Sequence, residues 1–271
     1  MTNLFASLFG RKNSPASRTA RVPDGAVVWA IGDVHGRSDL LLALLKEAVR
    51  DLRAQKPQRA VIVMLGDYVD RGPDSKGVID LLCKLSDQDD IETRFVRGNH
   101  EERFEGFLSD PDLGPSWCEY GGREALLSYG VLIPALKTDA EGWAEVSTSL
   151  NAALPETHRR FLAQQESSVE IGDYFFSHAG ARPGVPLADQ SPEDLMWIRR
   201  EFLIDKAAFE KVVVHGHTPD EHVHSDHRRI GVDTGAYATG VLTGLRLEGD
   251  QRRICQTRIV GKVVELSATD L

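Results

Sequence analysis

Gly66-Asp67-Tyr68-Val69-Asp70-Arg71-Gly72, entered from Ala60-Val61-Ile62-Val63-Met64-Leu65, is the stretch on which the reading of this chain turns. The six apolar residues, rich in β-branched side chains, read as a strand buried on both faces. Two carboxylates and an arginine therefore stand where a strand ends. Unpaired buried charge costs several kcal/mol or neutralises itself, so these groups make poor packing. They make good sense if Asp67 holds a cation, Asp70 orients a neighbouring acid or base, and Arg71 grips an anion. That hypothesis demands further ligands at the ends of neighbouring strands.

Working outward, Val27-Val28-Trp29-Ala30-Ile31 is a second buried strand, followed by Gly32-Asp33-Val34-His35-Gly36. Ser38 is expected to cap a helix with Leu41, Leu44, Leu45, Ala48, Val49 and Leu52 at helical spacing. Another helix is expected from Asp74, and a third strand from Glu92 to Arg97, ending at Gly98-Asn99-His100-Glu101. Three strand, loop and helix units in a row are the pattern of a parallel sheet covered by helices. Residues 101–165 read as a helical insertion. Ser168 to Phe176 forms a hairpin turning at Gly172-Asp173 and delivers His178-Ala179-Gly180. Ser191 and Pro192 start a helix, and Lys211-Val212-Val213-Val214 is a strand that delivers His215-Gly216-His217-Thr218. Strands around 230–232, 241–247, 253–260 and 263–266 close the chain.

In open α/β sheets, ligands bind in the crevice outside the carboxyl ends of the strands. Asp33, His35 and Asp67 supply one mixed oxygen and nitrogen group there. Asn99, His178 and His215 supply another, with the Asp67 carboxylate able to bridge the two. Such donors suit manganese, iron or zinc better than calcium, which takes oxygen alone. His217 is expected to support its loop or bond a ligand rather than hold metal, and His222, His224 and His227 to lie in a solvated loop.

These five motifs, each directly after an expected strand, resemble those of the PPP family of metal-dependent serine/threonine protein phosphatases. Ala179 and Val232-Asp233-Thr234-Gly235-Ala236 bring the resemblance closest to its bacterial and phage branch. The resemblance implies an α/β fold: a calcineurin-like metallophosphoesterase β-sandwich flanked by helices, with a helical insertion. It also implies two divalent metal ions, with manganese favoured and iron or zinc as alternatives. The ligands it implies are Asp33, His35, Asp67, Asn99, His178 and His215. Arg71 and Arg199 would bind phosphate together with Asn99 and His100. His100 would be the general acid, with Asp70 behind it, and a hydroxide bridging the metals would attack phosphorus. Arg200 would be a solvated neighbour. Tyr237 and Tyr120 receive no catalytic role.

The function this implies is hydrolysis of phosphoserine and phosphothreonine monoesters in a phosphorylated protein or peptide. The nearest alternative is a symmetrical dinucleoside tetraphosphate hydrolase or another small-molecule phosphoesterase. A binding-only phosphate module would have no need of the proton donor His100.

Composition sets the outer bounds. The 271 residues are 41% hydrophobic, enough for a substantial core. A formal net charge of -9 argues against a general nucleic-acid or anionic-membrane binder. Cys83, Cys118 and Cys255 are widely separated and odd in number, as expected of reduced thiols in a cytoplasmic protein. Residues 1–22, with Arg11, Lys12, Arg18 and Arg21 unopposed by acids, read as a flexible basic tail ahead of a single catalytic domain over 23–271. The apolar patch Leu4-Phe5-Ala6-Ser7-Leu8-Phe9 is too short to span a bilayer. The sequence sets no oligomeric state.

Overall fold

The computed structural model describes residues 19–136 and 138–271. Two sheets face one another. The first runs β1 (Ala26–Ile31), β2 (Arg59–Met64) and β3 (Glu92–Phe95), all parallel, and continues on the other side of β1 through β9 (Val241–Glu248), β10 (Gln251–Val260) and β11 (Val263–Asp270), all antiparallel. The second has the order β4 (Ser168–Ile171), β5 (Tyr174–Ser177), β6 (Val212–His215), β8 (Arg229–Gly231), β7 (His224–Ser225).

Strand alternation divides the core. Val28 and Ala30 of β1 face the second sheet, where Val169, Phe176, Val214 and Ile230 meet them. Val27, Trp29 and Ile31 face the other way, onto α1 (Ser38–Gln55) and α2 (Ser75–Ser86). Because each central strand is apolar on both faces, the sheet must be covered on both. The chain does this with helices on one side and a sheet on the other.

Between β3 and β4 lie α3 (Asn99–Ser109), α4 (Gly114–Glu119), α5 (Gly122–Ser128), α6 (Ala140–Ala153) and α7 (Glu156–Ala163). Trp117, Phe104, Phe107, Trp143 and Leu150 join them to the same core as the sheet helices. Farther on come α8 (Pro192–Trp197), α9 (Arg200–Ile204) and α10 (Ala236–Thr239).

Local expectations hold unevenly. Asp74 accepts the Gly77 N–H as the cap of α2, and Ser191 accepts the Asp194 N–H ahead of α8. Ser38 does not cap α1. It is the first helical residue, and its hydroxyl instead donates to Asp74 Oδ2 at 2.5 Å, tying the two helix starts together.

The expected tail over 1–22 ends sooner. Val22 is fully buried and its N–H donates to Gly249 O, while Arg21 exchanges hydrogen bonds with Asp173. The part of that expectation falling on 1–18 lies outside the described residues. None of the three cysteines forms a disulfide. No helix among the described residues is long and apolar enough to cross a membrane.

Candidate metal and phosphate site

The carboxyl ends of β1, β2 and β6, the start of α3 and the loop after β5 meet at one rim of the sandwich. Asp67 stands at its centre, just past β2. Its Oδ2 lies 3.4 Å from His35 Nε2 and its Oδ1 lies 3.3 Å from His178 Nε2. One carboxylate thus faces two clusters. The ligand atoms of His35, Asp67 and His100 lie within 4.8 Å of one another, and so do those of Asp67, His178 and His217. Asn99 Oδ1 joins the second cluster, 3.0 Å from His178 Nε2 and 2.9 Å from His217 Nδ1.

His215, expected as a ligand, is not there, and His217 takes its place. His215 is the last residue of β6 and shares a face with Val213, so strand alternation turns it outward toward Phe202, with ring centroids 4.9 Å apart. Its Nδ1 is bonded to Gly216 O and its Nε2 lies 3.1 Å from Arg229. His217 lies past the strand end with φ 64° and is swung back to the rim, where its N–H donates to Asp33 Oδ2. His222, His224 and His227 are exposed, as expected.

Backbone strain concentrates here. His35, Asp67, Asp70, Arg71 and His217 all have positive φ, and Lys56 is the one other non-glycine residue with it among the described residues. Such conformations cost of order 1 kcal/mol or more apiece and persist where surrounding structure imposes them. Glu101 is the main brace. Fully buried, it accepts backbone N–H bonds from Asp67, Tyr68, Val69 and Gly98 and so holds the Asp67 loop against the start of α3. Burial and the neighbouring Asp67 push its pKa up, and those N–H bonds oppose the shift.

The imidazoles are oriented by carbonyls. His35 Nδ1 bonds Val69 O at 2.9 Å and His178 Nδ1 bonds Leu65 O at 2.8 Å, which leaves each Nε2 facing Asp67. Burial pushes His35 down to about 3 and His217 to about 2, so both are neutral, as ligation requires. Asp33 is pushed well above the usual carboxylate range by burial and by Asp233 and Asp67. Its Oδ1 is buried with no hydrogen-bond partner among the described residues. A crowd of buried carboxylates with an orphaned oxygen, ringed by an amide oxygen and by imidazoles, of which His178 has its pKa raised by Asp67 against the effect of burial, fits a pair of divalent cations. Asp33, His35, Asp67, Asn99, His178 and His217 would hold them. Asp233, which also approaches Asp33 and has its pKa raised chiefly by burial, received no role from the sequence.

Beside the clusters opens a cleft of about 480 Å³ lined by Arg71, Asn99, His100, Arg199 and His217, and by the aromatic residues Trp117, Tyr120 and Trp197. Arg71 lies 3.1 Å from His35 Nε2, and Arg199 lies 3.1 Å from His217 Nε2. Neither arginine makes an ion pair with a carboxylate among the described residues. Arg200 points to solvent, as expected. His100 Nδ1 lies 2.7 Å from Asp70 Oδ2, and both residues are buried. Burial disfavours a charged His100, but Asp67 and Asp70 outweigh it and raise its pKa.

Two further groups reach the site without a role assigned from the sequence. Trp117 donates its indole N–H to Asp70, and Tyr237 places its ring 4.8 Å from the Arg71 guanidinium. Neither is marked by local pattern, because each comes from an element remote in sequence.

The family model for calcineurin-like phosphoesterases matches residues 26–242. The chain belongs to the calcineurin-like phosphoesterases. Among the curated relatives of this phosphoesterase is the asymmetrical bis(5'-nucleosyl)-tetraphosphatase PrpE of Bacillus velezensis, 26% identical over 241 residues, covering 80% of this chain and 87% of the relative. Serine/threonine-protein phosphatase 1 of Salmonella typhimurium is 41% identical over 75 residues, 28% of this chain and 30% of that protein. A crystal structure described as a putative diadenosine tetraphosphatase matches with a TM-score of 0.53 at 19% identity, covering 93% of this chain and 98% of that one. That likeness supports the fold of the phosphoesterase rather than its substrate.

Proposed function

We propose that this phosphoesterase cuts a phosphoanhydride bond in dinucleoside tetraphosphates, asymmetrically. The reading rests on one observation: similarity to the PrpE tetraphosphatases runs along 80% of the chain and 87% of the relative, whereas similarity to the serine/threonine phosphatase is confined to 75 residues. This reading takes up the small-molecule alternative in place of the phosphoprotein hydrolysis expected from sequence, with asymmetrical rather than symmetrical cleavage in keeping with the names of those relatives.

When bound, divalent cations supply Lewis acidity toward phosphoryl oxygens and lower the pKa of water. The protein residues do the rest. Arg71 and Arg199, without acidic partners among the described residues, take the phosphoryl oxygens of the group being transferred and neutralise charge as it shifts in the transition state. His100 holds a proton at its ring for the departing oxygen, and Asp70 fixes that ring. Water adds to phosphorus, the P–O–P link opens, and a nucleoside triphosphate and a nucleoside monophosphate leave.

The His100–Asp70 pair favours a second reading. A proton donor matters most when the leaving group is a poor one, such as the alkoxide of serine or threonine, so phosphoprotein hydrolysis stands as the alternative. Metal-reconstituted protein assayed on diadenosine tetraphosphate, a phosphoserine peptide and a phosphotyrosine peptide separates them. The expected result is the highest kcat/KM on the dinucleotide, with triphosphate and monophosphate as products. Faster turnover of phosphoserine peptide reverses the choice. Metal content is measured on the same samples, since manganese, iron and zinc all suit these donors.

A further inference from the structure

One wall of the cleft is not used by the chemistry above. Arg103 lies one helical turn beyond His100 on α3, on the same side of that helix, and lines the cleft. Its guanidinium sits 5.1 Å over the ring of Trp197, whose indole N–H is fixed by Glu102 Oε2 at 2.9 Å. The arginine is exposed, and among the described residues its guanidinium has no carboxylate partner and no hydrogen bond. The aromatic face therefore steers a cation whose N–H edges are directed to no partner among the described residues.

Tyr120 stands on the same cleft and is 67% exposed. It is exposed yet held: the next residue, Gly121, accepts the Arg71 N–H through its carbonyl at 3.0 Å. Gly121 has φ 108°, and a Cβ there would come within 2.5 Å of Arg71 N, so the turn that carries Tyr120 is seated directly on the phosphate-binding loop. A large aromatic ring kept out of the core and pre-placed beside three arginines is a stacking surface.

We propose that Arg103 and Tyr120 form a second subsite, which takes the part of a dinucleoside polyphosphate beyond the phosphoryl group held by Arg71 and Arg199. This rests on the tetraphosphatase reading. Arg103 binds the distal phosphates, held in position by Trp197, and Tyr120 stacks on the distal nucleobase. A single phosphoryl group engages two guanidiniums and the cations. The third, Arg103, lines the same cleft from α3, one helical turn beyond His100, and is free to take the next phosphates.

The test measures diadenosine tetraphosphate and inorganic tripolyphosphate as competitors of p-nitrophenyl phosphate hydrolysis, so that Ki is read whether or not the competitor is cleaved. In Arg103→Gln, the ratio of Ki to the KM for nitrophenyl phosphate is expected to rise about tenfold for both competitors. In Tyr120→Ala, that ratio is expected to rise about tenfold for the dinucleotide alone, because tripolyphosphate has no base, and Tyr120→Phe is expected to restore it. Both positions are exposed, and melting curves verify that the variants fold. Ratios unchanged in both variants, or Tyr120→Ala weakening tripolyphosphate as much as dinucleotide, overturn the subsite. Tight, Arg103-dependent binding of a dinucleotide that is not cleaved overturns the reaction and leaves the subsite standing. Cleavage with unchanged ratios does the reverse.

Discussion

Trp117 and His100 meet on a single oxygen. The Trp117 indole N–H donates to Asp70 Oδ2 at 2.8 Å, and His100 Nδ1 lies 2.7 Å from the same atom. Trp117 comes from α4 and packs edge-on against Phe104 and tilted against Phe107, so helices between the two sheets' strands set the orientation of the His100 ring. Asp70 Oδ1 has no hydrogen-bond partner among the described residues, which leaves Oδ2 to orient both rings. Trp117→Phe keeps most of the packing and deletes one N–H. It is expected to cost about 1 kcal/mol of stability and to lower kcat roughly tenfold for esters with poor leaving groups. Nitrophenyl phosphate turnover is expected to fall less, and steady-state kinetics on the two substrate types checks it.

The proton on His100 gives a second prediction. Asp67 and Asp70 raise its pKa against the effect of burial in the metal-free chain, and when Asp67 holds cations it is Asp70 that keeps the proton on the ring. A general acid works while protonated, so turnover of a poor leaving group falls as pH rises through that pKa. Asp70→Asn removes one of the raising charges and moves the alkaline limb of the profile to lower pH. His100→Asn abolishes that limb and slows alkyl phosphates far more than nitrophenyl phosphate. Equal losses on both substrates would remove His100 from the acid role.

His217 and His215 differ in what they hold. His217 shares a cluster with Asp67 and His178, while His215 packs on Phe202 beside Arg229. His217→Ala is expected to reduce bound divalent metal by up to one ion per chain in metal analysis after dialysis. His215→Ala is expected to retain both ions and instead lose about 1 to 3 kcal/mol of stability in denaturant titration, from its packing and its hydrogen bonds. The opposite pattern would return the ligand role to His215.

That pair also marks where sequence reading stops. The strands β1, β2 and β6, the loops after them and the meeting of Asp33, His35, Asp67, Asn99 and His178 are legible, because a buried strand has a strong local signal and charged residues at its end have few alternative explanations. Choosing between two histidines two residues apart depends on where β6 ends and on the positive φ of His217, and neither has a signature in the sequence. Glu101 looks like an ordinary helix-start acid until four backbone N–H groups are seen to converge on it. Trp117 reads as core and is core, yet its one polar atom reaches the site. Ser38 looks like a cap but lies inside the helix, where Asp74 supplies a stronger partner than the helix's own N–H groups.

A last prediction concerns a histidine far from the chemistry. His158 of α7 is buried, with Nδ1 2.9 Å from the Tyr129 hydroxyl and Nε2 2.9 Å from Asp80 Oδ1, joining α7 to α5 and α2. A neutral ring satisfies both contacts, accepting from the phenol and donating to the carboxylate. Burial holds its pKa below the ordinary value, against the pull of Asp80. The unfolded chain then binds this proton more readily than the folded one, so the contribution of His158 is complete above the unfolded value of about 6.5 and declines as pH falls toward the folded pKa. His158→Gln keeps polar atoms at the site and cannot titrate. It is expected to be less stable than the wild type by about 1 to 2 kcal/mol at pH 8. Because only the wild type pays for excluding the proton, the gap is expected to narrow at pH 5. Urea titrations of both proteins at the two pH values measure it, and curves that stay parallel would show that His158 carries no part of the acid sensitivity.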